Sequence, residues 1–172
     1  MLDRGNIIEH AFLKVGDPGQ IYSDNRTERY NIAEKLLDNI LDTVALDTAF
    51  LFNAVTVNLT KNANSTNEFD EYRYNRPNDF LSMIRYSDNM RIEGEFIYST
   101  NEALNIMYCR KIILEEYPDY MKNYLVLKLA VELCFAYTAY ENKIQLILAA
   151  LNSEKIKVMN NEGLVINNVS GG

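Results

Sequence analysis

Between Pro118 and Tyr140 the sequence reads PDYMKNYLVLKLAVELCFAYTAY, and the chain concentrates its apolar side chains there. From Tyr124 to Ala136 they cover most of a helix circumference: Tyr124, Leu125, Val126, Leu127, Leu129, Ala130, Val131, Leu133, Cys134, Phe135 and Ala136. A helix apolar nearly all round is either buried centrally or spans a bilayer. A span needs about 20 predominantly apolar residues with few charges, and Lys122, Lys128 and Glu132 interrupt this run. The stretch therefore predicts a buried central helix over 118–140, with the other segments packed around it. Pro118 suits a first helical turn, where its missing N–H has no partner to lose, and Asp119 complements the helix dipole.

The flanking segments read as further helices. Ile7, Ile8, Ala11, Phe12 and Val15 keep helical spacing over 5–15, and Gly16 stops them before an Asp17-Pro18-Gly19 turn. A long amphipathic helix is predicted over 24–48, with Tyr30, Ala33, Leu37, Ile40, Leu41 and Val44 on one face and Ser23, Asp24 or Asn25 as its cap. Another follows over 142–160, with Ile144, Ile147, Leu148, Leu151 and Ile156 on one side. Between residues 50 and 109 the pattern changes. Short β-type runs at Phe50–Phe52, Val55–Leu59, Phe69–Tyr74, Phe80–Tyr86, Met90–Glu93, Phe96–Tyr98 and Leu104–Cys109 predict a small antiparallel sheet, with a glycine hairpin at Gly94 and a bend at Pro77. The expected fold is α+β, mainly α. It is a single domain over 1–160, with a helical bundle (5–48 and 118–160), the β insertion (50–109) and an extended C-terminal tail over 161–172. The tail holds Leu164, Val165, Ile166 and Val169, which it cannot bury alone.

Chemistry-bearing motifs are missing from this frame. No glycine-rich phosphate loop, paired Cys or His ligands, or nucleophile elbow stands in the sequence, so no catalytic, cofactor or metal residue is assigned. His10 is the only histidine, and adjacent pairs such as Asp70-Glu71 and Glu115-Glu116 read as solvated carboxylates. A net charge of −7 argues against a surface that grips nucleic acid by neutralising phosphates. Cys109 and Cys134 fit small core side chains in a reduced, cytosolic setting, and the N-terminus carries no readable signal peptide. The 12 tyrosines are the unusual feature. Tyrosine offers broad contact area with a polar tip, and Tyr72, Tyr74, Tyr86, Tyr98 and Tyr108 all fall in the sheet region, as cross-strand packing or as a contact surface.

Taken in order, several segments carry a likeness. They are Ile7–Gly16 followed by Asp17-Pro18, Phe50-x-Phe52, and Tyr72-x-Tyr74-x-x-Pro77-x-Asp79-Phe80-Leu81. Glu93-Gly94-Glu95-Phe96-Ile97-Tyr98 and the helix from Tyr117-Pro118 to Ala139 complete the series. Over residues 5–150 the chain resembles the head-to-tail adaptors of short-tailed bacteriophages, the tail tubular protein A family. It departs from them in having no Trp, in Arg76 before Pro77 where Leu is usual, and in Tyr124 where Phe is usual. The resemblance implies a virion protein at the head–tail junction, assembled in the host cytoplasm as a ring, commonly of 12 copies. Such a ring docks beneath the portal, extends the DNA channel without sequence-specific binding, and supports the next tail or connector protein. It further implies that Leu164, Val165, Ile166 and Val169 dock the portal, that Tyr72, Tyr74, Tyr86 and Tyr98 face the tail side or a neighbouring subunit, and that no membrane is involved. The residues alone also leave open a cytosolic helical protein-interaction module, or a small enzyme whose site has no sequence signature.

Overall fold

Asp3 opens the first helix by accepting the N–H of Asn6 on its carboxylate at 2.8 Å, which satisfies one of the donors a helix start leaves unpaired. The structure, a computed structural model, describes residues 2–17, 28–47, 50–62, 66–85 and 89–162. Helix α1 (Arg4–Val15) buries Ile7, Ile8, Ala11, Phe12 and Val15, as their spacing predicts. It ends at Gly16, whose φ of 80° is the left-handed conformation a helix C-cap favours; the N–H groups of Gly16 and Asp17 turn back to the carbonyls of Leu13 and Phe12. Helix α2 (Glu28–Leu46) buries Ala33, Leu37, Ile40, Val44 and Ala45. Its expected caps, Ser23, Asp24 and Asn25, lie outside the described residues.

The chain is mixed α+β, about half helical, with two small antiparallel sheets. It divides into two compact units, Met1–Phe52 with Ile113–Gly172, and Asn53–Ile112. In the first, helix α3 (Lys122–Ala136) touches α1, α2 and α4 (Ile144–Asn161). Tyr124, Leu125, Val126, Leu127, Leu129, Ala130, Val131, Leu133 and Cys134 are all buried, and each large one contributes about 1.5–3 kcal/mol.

The apolar run is longer than the helix it forms. Pro118 is extended (ψ 146°), and Asp119–Met121 make a single 3-10 turn before α3 begins at Lys122. At the other end Tyr137 is extended, and a second 3-10 segment, Thr138–Lys143, replaces the predicted last turn. The break coincides with a long-range contact: Tyr137 and Tyr140 are both turned onto Arg29, whose guanidinium lies 5.1 and 5.9 Å from their ring centroids. Phe135 and Ala136, expected inside, are exposed, Phe135 at 68 %. Helix α4 departs further. Of its predicted face only Ile147 is buried; Ile144, Leu148 and Leu151 are half-buried, while Ile156 is exposed at 62 %, as is Leu146 elsewhere on the helix at 73 %. No helix among the described residues is long and apolar enough to cross a membrane.

In the second unit, six strands form two three-stranded sheets where a single sheet was expected. The first has the order β1 (Ala54–Leu59), β6 (Leu104–Arg110), β3 (Phe80–Arg85); the second has β2 (Tyr72–Asn75), β5 (Phe96–Ser99), β4 (Met90–Glu93). Tyr74 and Ile97 of the second sheet share one core cluster with Leu104, Ile106 and Tyr108 of the first. One predicted strand, Phe69–Tyr74, starts late, and another, Phe50–Phe52, is not a strand. Asn67 accepts the N–H groups of Phe69 and Glu71 on its side-chain oxygen, both at 2.9 Å, and this local turn postpones β2 to Tyr72. Phe50 and Phe52 instead serve the helical unit: Phe50 meets Tyr124 edge-on at 5.3 Å, and Phe52 lies 5.0 Å from Tyr117.

Candidate functional site

The Gly94 hairpin sets the register of the most structured polar surface. Glu93 pairs with Phe96 across a two-residue turn in which Gly94 has φ 58°, so Arg91 falls opposite Tyr98. Tyr98 in turn lies opposite Arg73 on β2. Alternation then puts Arg91, Tyr98 and Arg73 on one face, and Tyr74 and Ile97 on the other, in the core. The Arg91 guanidinium sits 4.3 Å from the Tyr98 ring centroid, and that of Arg73 sits 4.7 Å from Phe96.

Arg91 is also the hub of a charge network. Its Nη2 donates to Glu71 Oε2 at 3.0 Å, its Nε reaches both Glu71 oxygens at 3.2 Å, and its Nη1 donates to Glu93. Asn67 Nδ2 adds a third donor to Glu71 at 3.0 Å. These bonds, that of Arg91 foremost and then that of Asn67, hold the Glu71 carboxyl below the ordinary carboxylate range; Glu71, and then Glu93, raise the Arg91 guanidinium. Both groups stay charged across the ordinary pH range, so the network is a fixed platform. Beside it lies an open depression of ≈ 410 Å³, bordered by Thr66, Asn67, Arg73, Arg91, Tyr98 and the 65 % exposed ring of Phe69. An exposed aromatic beside stacked guanidinium groups is suited to holding another protein surface.

The four tyrosines expected to form a contact surface are divided by the structure. Tyr98 is on the outer face. Tyr72 is half-buried; its hydroxyl donates to Glu102 at 2.8 Å, and Lys61 Nζ lies 4.4 Å from its ring centroid. Tyr74 is fully buried and donates to the Asn101 carbonyl, so it is a core residue and cannot be a contact residue. Tyr86 lies outside the described residues, as do Leu164, Val165, Ile166 and Val169. His10 stands exposed on α1, and no group of three or more His, Cys, Asp or Glu among the described residues could hold a metal ion.

The helical unit holds a second polar cluster, a joint where three segments meet. Asp17 accepts from Arg29 at 3.0 Å and from the Tyr140 hydroxyl, and Arg29 also donates to the Tyr140 oxygen at 2.9 Å. Burial, followed by Asp17, pushes the Tyr140 phenol up to about 12, which keeps it a proton donor. The Asp17 joint has no periodic signature. The Arg91–Tyr98 pairing, by contrast, follows from MRIEGEFIYS once a two-residue turn is placed at Gly94-Glu95.

No protein-family model matches the chain, and no curated protein compared with it is similar enough to count as a relative.

Proposed function

We propose that the chain is a structural virion protein, the head-to-tail adaptor of a short-tailed bacteriophage. In this reading it assembles into a ring beneath the portal, of about 12 copies by the resemblance, and supports the next tail or connector protein. The helices of residues 1–52 and 113–162 form a bundle that makes the ring body, and residues 53–112 are a β insertion offered to a neighbour.

One observation carries the reading: the motifs behind the resemblance are the joints of the fold. Asp17 ties α2 to the segment after α3. Phe50 and Phe52 seat on Tyr124 and Tyr117. In the Pro77–Leu81 segment the Pro77 carbonyl accepts the Phe80 N–H, Asp79 accepts the Tyr108 hydroxyl at 2.8 Å, and Phe80 stacks on Tyr108. Tyr117 donates to the Leu41 carbonyl at 2.7 Å, and Pro118 starts the turn into α3. Residues with such roles recur in one order wherever one fold is kept, which supports common architecture over chance likeness.

Charge supports the channel. Residues 1–52 and 113–172 hold 16 acidic and 10 basic side chains, against 8 and 7 in the middle segment, so nearly all of the net −7 belongs to the helical unit. A ring whose body is acidic repels a DNA backbone at its wall and leaves the DNA free to slide, over a range of about 8–10 Å at moderate salt.

The test is localisation. Averaged images of the particle should place this subunit in the connector, and purified chain should bind the portal protein of the same particle. A chain missing from assembled particles, or one indifferent to portal, overturns the reading. The exposed Phe69 beside the Arg91 network also suits a protein-interaction module outside a virion, which would bind a partner by that face and form no ring with portal present.

A further inference from the structure

Among the described sheets, β1 is the edge left open. A strand at a sheet edge presents unpaired N–H and C=O groups, and proteins ordinarily blunt such edges with bulges, charges, proline or short length. The other outer strands carry such devices. Strand β3 has two register shifts against β6 and follows the Pro77 bend. Strand β4 has four residues, two of them Arg91 and Glu93. Strand β2, also of four residues, is flanked by the Lys61–Tyr74 bridge. Strand β1 meets that bridge only beyond its end, at Lys61, and over Ala54–Leu59 itself carries none of the other devices. It runs six residues in unbroken register with β6, from Ala54 opposite Cys109 to Leu59 opposite Leu104. No charged side chain or proline occurs over 53–60, and Thr56 and Asn58 are exposed.

We infer that β1 is an acceptor edge, and that its occupant is the C-terminal segment 163–172 of another copy of this chain, added as a further strand. That segment, GLVINNVSGG, begins directly after α4 and its C-cap Glu162. Leu164–Val169 is a six-residue run, as long as β1, set between Gly163 and the closing Ser-Gly-Gly. It is rich in the β-branched residues that strands favour, and it carries no charged side chain. As a strand it would place Leu164 and Ile166 on one face, where they would extend the half-buried row of Val55, Val57 and Leu59. Charge selects the pairing. Copies of a −7 chain repel one another, and an uncharged strand on an uncharged edge is a contact they can make without bringing carboxylates together. Each copy has one donor and one acceptor, so the contact is head-to-tail and propagates into a ring or a filament. The inference deepens the ring reading and rests on it. It also gives the tail a partner other than the portal, to which the resemblance assigned it.

The experiment needs only this chain. Sedimentation from micromolar to millimolar concentration is paired with hydrogen exchange of those β1 amides that face away from β6, for the intact chain, a chain ending at Glu162, and Val165→Pro/Ile166→Pro. The adjacent prolines remove two consecutive N–H groups, one on each side of the donated strand, and alter no residue of the described elements. The intact chain should associate with rising concentration as β1 amides become protected. Both variants should associate about tenfold or more weakly and lose that protection. A synthetic 163–172 peptide should protect β1 in the truncated chain. Association that persists in the variants overturns the inference, as does β1 protection at concentrations where the chain is monomeric, which would mean that it holds its own tail. Portal binding and particle localisation are read separately, so failure here leaves the adaptor reading standing and its failure would not mimic this one.

Discussion

Tyr108 shows how a single residue joins packing to pH. It is buried, its ring stacks on Phe80 at 5.4 Å, and its hydroxyl donates to Asp79. Burial first, and Asp79 second, push the phenol up to about 12, and burial takes Tyr120 and Tyr124 to about 12 as well. A phenol raised in the folded state stabilises the fold fully below the unfolded value of about 10, and that contribution drains away as pH climbs toward the folded value. Alkaline titration should therefore show a late class of phenols whose absorbance at the phenolate band rises together with loss of helical circular dichroism. If all 12 tyrosines ionise near pH 10 with the helix signal intact, the burial assignment fails. Glu71 has the opposite sign. Its pKa is lowered by Arg91 and Asn67, so its contribution is present above the unfolded carboxylate value and is lost as pH falls through the lower folded one. Urea unfolding should thus weaken between neutral pH and about pH 3, and Glu71→Gln should be weaker at neutrality but less acid-sensitive. Equal acid sensitivity in the two proteins would remove Glu71 from the account.

At the scale of elements, periodicity located α1 and α2 well because each has one face to bury. It placed a helix within 118–140 for a different reason, the sheer density of apolar residues, and density does not mark ends. Helix α3 stops where Tyr137 and Tyr140 reach Arg29, a contact across more than a hundred residues that no local pattern encodes. The same limit explains α4: Ile156 keeps helical spacing with Leu148, but spacing cannot say whether a neighbour covers it. The Gly94 hairpin was legible because turn chemistry is local, and so were strand positions β3 to β6. Division into two sheets was not, since β3 pairs with the distant β6 and leaves β4 to β5. Of the expected contact tyrosines, Tyr98 and Tyr74 differ only by which face of one sheet they occupy, and register decides that. Two substitutions test the helix assignment. Leu129→Ala, in the fully buried part of α3, should cost about 2–5 kcal/mol in chemical unfolding. Phe135→Ala, six positions on but exposed, should cost about 0.5 kcal/mol or less. Comparable losses would mean that the end of α3 is covered after all.

For the molecule as a whole, charge separates two ways in which copies could meet. Contacts made by opposite charges weaken as salt is added, because exposed pairs beyond a Debye length are screened. Contacts made by uncharged backbone and apolar side chains between like-charged bodies should instead tighten, since salt screens only the repulsion. This chain carries −7, lodged almost entirely in the helical unit, whereas the open β1 edge and the 163–172 segment carry no charged side chain. Raising ionic strength from about 0.05 M to about 0.5 M, which shortens the screening length several-fold, should therefore strengthen self-association, with light scattering as the readout. The Arg91–Glu71–Glu93 platform predicts the contrary trend for a partner captured by charge at that face. Self-association that weakens with salt would move the contact between copies from the uncharged edge to this network.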